Sequence, residues 1–169
     1  MSTELTQARL KELLHYDPET GVFTWVGRTG KKSKPGKVAG GPGPNGYVSI
    51  GVDGSRALAH RLAWLYTYGA WPEGHLDHAD GVRSNNSIRN LRVCNDAENG
   101  QNRSGPNANN RLGILGVCLD RRYGTYSATI THQRSKRHLG TFKTAEEAHK
   151  AYLAAKAQLH TFQPTPRTT

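Results

Sequence analysis

The chain has 169 residues, of which 35% are hydrophobic, and its net charge is +10 with a pI near 9.9. It contains no apolar run of about eighteen residues, and residues 1–15 lack the apolar core of a secretion signal. We therefore expect a cytoplasmic protein with no membrane partner, and the positive charge favours a nucleic acid as its partner. The two cysteines form no CxxC pair, so we expect neither a disulfide framework nor a structural zinc site.

The first part of the chain predicts short elements joined by turns. In chain order these are a helix at 4–15, a turn at 16–21, a strand at 22–25, a flexible basic loop at 27–46, a hairpin at 47–59 and a helix at 60–68. Asp53 and Gly54 are expected to form the two-residue turn of the hairpin. Pro72 and Gly74 are expected to end the helix.

The rest of the chain predicts two further groups of elements. These are strands at 75–78 and 91–94, a helix from Asp96, a linker at 105–115, strands within 116–120, 125–132 and 137–142, and a helix at 143–160. Asn95 with Glu98, and Thr144 with Glu147, have the spacing of capping boxes at the two helix starts. Ala148, Tyr152, Ala155 and Leu159 are expected to form the buried stripe of the last helix. The pattern predicts an α+β protein with two domains.

Residues 74–90 are unusually polar, with two histidines, two aspartates and three asparagines. Asparagine is a poor helix and strand residue, so this segment is either a polar loop or a site. If the predicted hairpin folds against the predicted helix, Asp77 and Asn99 can supply oxygen ligands that suit Mg²⁺ or Mn²⁺. His78 beside such a metal is suited to general base catalysis. Adjacent strand residues point to opposite faces, so Asp77 and His78 would need a twist or bulge to serve one phosphate.

A family resemblance is carried by the stretch LDHADGVRSNNSIRNLRVCNDAENGQN, with YDPETGVFTW and AHRLAWLYTYG before it. These segments resemble the HNH endonucleases, specifically the homing endonucleases of phages and introns. The resemblance covers roughly residues 13–103. It implies an HNH domain at 1–104, with a ββα-metal core at about 74–103 and a β-rich N-terminal extension.

The resemblance also implies roles for individual residues. His78 would be the general base that activates water, and Asp77 would bind the one divalent ion of the active site. Asn90 would pin the loop and orient the histidine. Asn99 would be the second metal ligand, at the position where the family name has a histidine, and Asn102 is the alternative ligand. The products would carry a 5′-phosphate and a 3′-hydroxyl.

Other polar residues near this motif allow more than one interpretation. We interpret His60, at the start of a predicted helix, as packed or capping rather than phosphate-binding. Asn85 and Asn86 are loop residues for which a structural role is at least as well supported as a functional one. Arg83 is a predicted DNA contact, and a purely structural role for it is equally well supported.

The C-terminal part is strongly basic, since residues 105–169 carry 10 Lys and Arg against 3 Asp and Glu, a net charge of +7. Its opening Gly-Val, Tyr-x-Ala-x-Ile at 126–130, Leu-Gly-x-Phe at 139–142 and Thr-x-Glu-Glu-Ala at 144–148 resemble the AP2 DNA-binding domain. The resemblance implies a three-stranded sheet backed by a helix at 116–162, followed by a tail at 163–169. The predicted DNA-binding residues of this domain are Arg121, Arg122, Tyr126, Arg134, Lys136 and Arg137. Cys118 and Tyr126 depart from the family pattern, so no base preference can be carried over.

Together these features predict a sequence-directed DNA endonuclease of the homing type, with double-stranded DNA as partner and no evident protein partner. One active site would nick DNA, and a double-strand break would require a homodimer or two visits. If phage-encoded, the protein would act in the bacterial cytoplasm. Two alternatives remain open: a non-catalytic AP2-type transcription regulator, and a non-specific or RNA-directed nuclease.

Overall fold

The computed structural model is a mixed α+β protein and describes residues 5–28, 30, 33–101, 105–106 and 109–160. The alternative ligand Asn102 and the predicted tail at 163–169 lie outside these residues. The chain forms two units, one ending at Cys94 and one beginning at Asn95. The predicted linker at 105–115 lies inside the second unit, and the predicted domain boundary stays a prediction. No helix within the described residues is long and apolar enough to cross a membrane.

Among the described residues, the first unit contains three small antiparallel sheets, two α-helices and one 3-10 helix, Ile88–Asn90. Its elements are α1 Gln7–Leu13, β1 Leu14–Tyr16, β2 Phe23–Trp25, β3 Gly41–Pro42, β4 Val48–Val52, β5 Ser55–Leu58, α2 Ala59–Tyr68, β6 His75–His78 and β7 Leu91–Cys94. The sheets have the strand orders β1-β2, β3-β4-β5 and β6-β7. The predicted elements are therefore present in the predicted order.

The end of the first helix and the residue that stops the second helix differ from the prediction. The first helix stops at Leu13 because Leu14 already pairs with Trp25 in the β1-β2 sheet. The second helix ends at Tyr68, so the expectation that Pro72 and Gly74 end it is wrong. Gly69 adopts a left-handed conformation (φ 80°) and caps the helix before the proline is reached.

The hairpin between β4 and β5 is confirmed with its turn. Asp53 and Gly54 have φ values of 47° and 79°, which is the pair of positive angles that a type I′ turn requires. The strands pair in regular register, with Val52 opposite Ser55. Ile50 on β4 is fully buried and contributes to the core of this unit.

The core of the first unit links its N-terminal elements to the strand that follows the polar loop. Its buried members are Leu10, Leu13, Leu14, Tyr16, Phe23, Ala39, Ile50, Val52, Ala59, Leu62, Ala63, Leu65 and Leu91. Leu91 is the first residue of β7 and follows Asn90 directly. Burial of Leu91 therefore anchors the end of the polar loop on the main core.

The second unit is a three-stranded antiparallel sheet with a helix behind it. Its elements are α3 Asp96–Gln101, β8 Val117–Asp120, β9 Thr125–His132, β10 Ser135–Phe142 and α4 Ala145–Leu159, and the strand order is β10-β9-β8. Both capping boxes are confirmed. The Glu98 N–H donates to Asn95 Oδ1 at 3.0 Å, and the Glu147 N–H donates to Thr144 Oγ1 at 3.2 Å.

The buried stripe of α4 differs from the predicted one in its second half. Ala148 and Tyr152 are buried as expected, whereas Ala155 and Leu159 are only half-buried. The stripe continues instead through Lys156, which is buried and follows Tyr152 by four residues. Burial lowers the pKa of the Lys156 ammonium from its ordinary value.

Candidate active site on the β6-β7 ribbon

The polar stretch of the sequence forms strand β6 and the loop that leads from it to β7. The two strands pair antiparallel in unbroken register, with Asp77 opposite Arg92 and His78 opposite Leu91. Because side chains alternate along a strand, Asp77 and His78 are directed to opposite faces of this ribbon. The pairing of β6 with β7 contains no bulge between Asp77 and His78.

Asp77 is a buried carboxylate with a basic partner that sequence reasoning missed. Its Oδ2 accepts hydrogen bonds from Arg92 Nε at 2.9 Å and from Arg92 Nη2 at 2.8 Å. Arg92 is the residue directly opposite on β7, so the strand register creates the ion pair. The guanidinium balances a charge that would be costly to bury alone.

His78 is buried, with only 3% of its surface exposed. Its Nε2 lies 3.3 Å from Oδ1 of Asn86. The ring also packs edge-on against His60 at a centroid distance of 5.1 Å and against Tyr47 at 5.8 Å. Burial lowers the pKa of His78, although the hydrogen bond to Asn86 and the charge of Asp80 oppose this shift. The imidazole is therefore neutral near pH 7, the form that a general base requires.

Asn86 is the residue that contacts His78 directly, and it is 2% exposed. Its Nδ2 donates to the carbonyl oxygen of Ser84 at 3.1 Å, and its own carbonyl oxygen accepts from Tyr16 Oη at 2.7 Å. The sequence offered Asn86 only as a loop residue. The sequence signal that could have identified it is an asparagine, next to Asn85, that follows His78 by eight residues.

Asn90 closes the loop at its base. Its Oδ1 accepts from the Asp80 N–H at 3.0 Å, and its Nδ2 donates to Asp80 Oδ1 at 3.0 Å and to the Asn85 carbonyl at 2.8 Å. Burial opposes ionisation of Asp80, but hydrogen bonds from Asn85, Val82 and Asn90 lower its pKa overall. Asn90 therefore acts on the loop, while the side chain of Asn86 contacts the His78 ring.

The turn between β1 and β2 supports the same loop from behind. The Ile88 N–H donates to the Pro18 carbonyl at 3.0 Å. Gly21 (φ 72°) comes so close that a Cβ there would lie 2.3 Å from the carbonyl carbon of Asn86 and 2.3 Å from the Ser87 nitrogen. Glycine suits this position because it adopts a positive φ without strain and has no Cβ to clash with the loop backbone.

Arg83 is exposed but already engaged within the first unit. Its Nη1 donates to the Asn45 carbonyl at 2.9 Å, and its guanidinium carbon lies 5.0 Å from the centre of the Tyr47 ring. Tyr47 in turn packs on His60 and His78. Arg83 thus packs over the Tyr47 ring, which in turn contacts His78. Its predicted contact with a phosphate stays a prediction.

His60 follows the first residue of α2, whose N-cap is Leu58, and it makes no capping contact. It is buried, and its Nδ1 has no hydrogen-bond partner among the described residues. Burial, and to a smaller extent the neighbouring His78 and Arg61, lower the pKa of His60 to about 4. Of the earlier interpretations, packing is the one that the structure supports.

Asn99, the predicted second metal ligand, is an exposed residue of α3 in the second unit, while Asp77 belongs to the first. Their joint binding of one ion stays a prediction. In the described part of the chain no group of three or more His, Cys, Asp and Glu side chains is placed to hold a metal. A site made of one carboxylate and one amide contains a single member of that set, so this finding does not bear on it.

The predicted basic residues of the second unit are all exposed. Arg121 and Arg122 lie in the turn between β8 and β9, and Arg134 (φ 62°) lies in the turn between β9 and β10. Lys136 is opposite Thr131 and belongs to the open face of the sheet. Arg137 is opposite the buried Ile130, so alternation directs it to the helix side at the sheet edge.

Tyr126, another predicted DNA-binding residue, is half-buried on β9. It is opposite Leu119 on β8 and Phe142 on β10, and it packs against the core formed by Val117, Ala128 and other residues under α4. The alternation of β9 puts it on the same side as Ala128. Tyr126 therefore contributes to packing between sheet and helix, and its predicted contact with DNA stays a prediction.

Comparison with known proteins gives one match. Residues 57–101, about a quarter of the chain, match the family model of the HNH endonucleases. No curated protein and no solved structure matches the chain. The matched segment contains Asp77, His78, Asn90 and Asn99 but does not reach residues 116–162, for which the AP2 resemblance stays a prediction. The match supports an HNH nuclease core in this part of the chain and suggests nuclease activity.

Proposed function

We propose that the protein is a DNA endonuclease in which His78 is the general base. The observation that carries this proposal is a buried, neutral histidine held by Asn86 inside a loop that Asn90 closes, all within the segment that matches the HNH endonucleases. Loop and histidine are fixed before any substrate arrives. Such preorganisation is what a positioned base contributes to catalysis.

The reaction is hydrolysis of one phosphodiester. The oxygen of a water molecule attacks phosphorus, and the proton of that water passes to the neutral His78 ring. The bond from phosphorus to the 3′ oxygen breaks, and this oxygen becomes a hydroxyl with a proton from solvent. The products carry a 5′-phosphate and a 3′-hydroxyl, and one active site cuts one strand.

A divalent cation is part of the proposal. A carboxylate and an amide oxygen are hard donors that fit Mg²⁺ or Mn²⁺, and Asp77 is kept in one orientation by Arg92. Asp77 and Asn99 would hold the ion. When bound, it supplies positive charge that stabilises the transition state and the leaving 3′ oxygen.

The second unit is proposed to grip duplex DNA. The open face of its sheet, on the side away from Ala128, carries small polar and basic side chains: Cys118, Ser127, Thr129, Thr131, Lys136, His138 and Thr141. Arg121, Arg122 and Arg134 extend from the two turns at its ends. Cations of this kind reach phosphates or guanine edges. Site selection of the homing type and phage origin are further parts of this proposal.

One observation favours the alternative of a non-catalytic DNA-binding regulator. Asp77 is paired with Arg92 and directed to the face opposite His78, which is not the arrangement that shared action on one phosphate requires. A plasmid assay separates the two functions. Supercoiled DNA is incubated with Mg²⁺ or Mn²⁺ and the wild-type protein, His78→Ala, or His75→Ala as the matched control, since His75 is an exposed histidine on the same strand.

We expect wild type and His75→Ala to produce relaxed or linear DNA whose ends are ligatable. His78→Ala should lose at least about 100-fold in rate, since a general base contributes about 10² to 10⁴. Its affinity for DNA should change no more than a few-fold. Cleavage by His78→Ala at the wild-type rate would exclude the proposed base, and binding without cleavage by all three proteins would favour the regulator.

A further inference from the structure

We infer that Tyr47 and Arg83 form a removable cover over His78, and that a DNA phosphate opens it by drawing Arg83 away from the Asn45 carbonyl. The meaning of the cover for catalysis rests on the proposed function, since a base that acts on a phosphodiester has to be uncovered first. The cover itself is a feature of the first unit and rests on the contacts of these three residues.

The first step is the burial of His78, which conflicts with its proposed role. Only 3% of the residue is exposed. A general base has to come within hydrogen-bond reach of the water whose proton it takes. At least one of the groups that pack on His78 must therefore move before the reaction.

The second step excludes two of these groups. Asn86, which contacts the ring from the loop, is 2% exposed, and its carbonyl oxygen accepts from Tyr16 Oη at 2.7 Å. His60, which packs edge-on against the ring, is a buried residue of α2. Moving either residue would disrupt the close packing of the first unit, which is costly.

The third step is that Tyr47 is placed to move. It is only half-buried, and it lies directly before β4, next to the exposed turn residues 44–46. Its ring centre lies 5.8 Å from that of His78 and 5.4 Å from that of His60. Displacing a half-buried side chain beside a turn exposes little apolar surface, and it removes one side of the enclosure around His78.

The fourth step is that Arg83 holds Tyr47 in place. Its guanidinium carbon lies 5.0 Å from the centre of the Tyr47 ring, and its Nη1 donates to the Asn45 carbonyl at 2.9 Å. Its alkyl chain runs beside Gly46, where an added Cβ would lie 3.8 Å from Cβ and Cδ of Arg83. One cation thus ties the polar loop to the turn that precedes Tyr47.

The fifth step is the exchange of partners. Arg83 is exposed, so a phosphate can reach its guanidinium. Hydrogen bonds between a guanidinium and a phosphate are about twice as strong as those to a neutral acceptor such as the Asn45 carbonyl. A ligand that binds only the open arrangement shifts the population toward it. DNA binding is thereby coupled to exposure of the base, while the free protein keeps His78 covered.

The first test measures access to His78 in the free full-length protein without divalent metal. Diethyl pyrocarbonate modifies neutral imidazole rings that it can reach, and peptide mass spectrometry gives the rate at each histidine. His15, an exposed histidine on β1, is the internal reference. We expect His78 to react slowly in wild type and about 5- to 50-fold faster in Arg83→Gln, which loses one hydrogen bond and one cation–π contact. Tyr47→Ala should react at least as fast as Arg83→Gln.

Arg89→Gln is the matched control, because Arg89 is an exposed cation of the same loop region whose partner is Glu19. Its His78 should react as slowly as that of wild type. Modification of His78 as fast as His15 in wild type would overturn the cover even if neither variant folded. Equally slow modification in wild type and in a folded Arg83→Gln or Tyr47→Ala protein would overturn it as well.

The second test follows Arg83 itself when duplex DNA is added in the presence of EDTA. The ¹H–¹⁵N signal of its Nε–H group is assigned by its loss in Arg83→Gln, and the Tyr47 ring should shift this signal upfield in the free protein. We expect DNA to move it downfield, toward its position in Tyr47→Ala. An Arg83 signal that duplex DNA does not move would overturn the exchange of partners.

The cover and the nuclease proposal fail separately, because neither test requires cleavage. If both tests give the expected results and wild type cuts no DNA with Mg²⁺ or Mn²⁺, the nuclease proposal fails and the cover stands. If wild type cuts DNA although its His78 reacts as fast as His15, the cover fails and the nuclease proposal stands.

Discussion

The loop that holds His78 and the sheet of the second unit carry polar side chains in opposite ways. In the loop the polar groups are buried and hydrogen-bonded within the loop: His78 contacts Asn86, and Asn90 bonds to Asn85. On the sheet the cations at Arg121 and Lys136 are exposed to solvent. Buried polar groups cost stability unless all their bonds are made, whereas exposed charges cost little.

This difference separates two kinds of contribution to function. A buried network holds one geometry, so substitutions in it should alter chemistry and folding stability together. Exposed cations can meet the phosphates of any duplex, and salt screens them. Substitutions on the sheet should therefore change DNA affinity and its salt dependence while leaving stability and kcat nearly unchanged.

The largest expected effect concerns the cations of the second unit. We combine Arg121→Gln, Arg122→Gln, Arg134→Gln, Lys136→Gln and Arg137→Gln in one protein. If about six phosphates are neutralised in wild type, log K falls with log salt at a slope near −5, a loss of roughly 10³ between about 50 and 200 mM salt. The variant should show a slope near −1. DNA affinity measured for both proteins across this salt range tests the two expected slopes.

The control for this experiment is Arg9→Gln combined with Arg89→Gln, two cations of the first unit that already form surface ion pairs. Its slope should stay close to that of wild type. A variant with all five substitutions and an unchanged slope would break the comparison, because the basic sheet would then play no part in holding DNA.

The next effect tests how tightly the loop is supported. Gly21 and Gly36 both have positive φ, 72° and 75°, but a Cβ meets the backbone of Asn86 only at Gly21, and nothing lies within 4 Å at Gly36. We expect Gly21→Ala to cost about 4 kcal/mol and Gly36→Ala about 1 kcal/mol, the backbone cost alone. Denaturant unfolding gives both values, and equal losses would show that the loop yields freely.

Local features of the sequence predicted much of the fold. Capping boxes at Asn95 and Thr144 and the Asp53-Gly54 turn depend on residues a few positions apart, so their signals survive in any tertiary context. The strands at His75–His78 and Leu91–Cys94 were predicted for the same reason. Local sequence signals were sufficient to predict these turns, helix starts and strands, and the loop between β6 and β7.

Contacts between elements were beyond such reasoning. The ion pair of Asp77 with Arg92 follows from strand register, and the packing of Tyr126 on the core follows from which face of β9 meets α4. Sequence spacing gives the alternation of side chains but not the side that is covered. The contact between His78 and Asn86 depends on the whole loop being folded, because the turn containing Gly21 packs against the backbone of Asn86.

The smallest expected effect is a dependence of folding stability on pH that arises from the buried His60 ring. The pKa of His60 is about 4 in the folded protein, against 6.5 for an ordinary histidine, because burial disfavours the charged ring. The unfolded chain therefore binds a proton that the folded chain does not between these values. Stability from this group is complete above pH 6.5 and is lost as the pH falls toward 4, by about 2 kcal/mol between pH 8 and pH 5.

His60→Phe removes this proton linkage and keeps an aromatic edge against His78. We expect its unfolding free energy, measured by denaturant at several pH values, to fall less steeply below pH 6.5 than that of wild type. The difference between the two curves measures the proton linkage of His60 together with its coupling to His78. Parallel curves for wild type and His60→Phe would mean that the His60 ring is hydrated in the folded state. The surroundings of His78 would then differ less from the exposed sheet than the burial of His60 indicates.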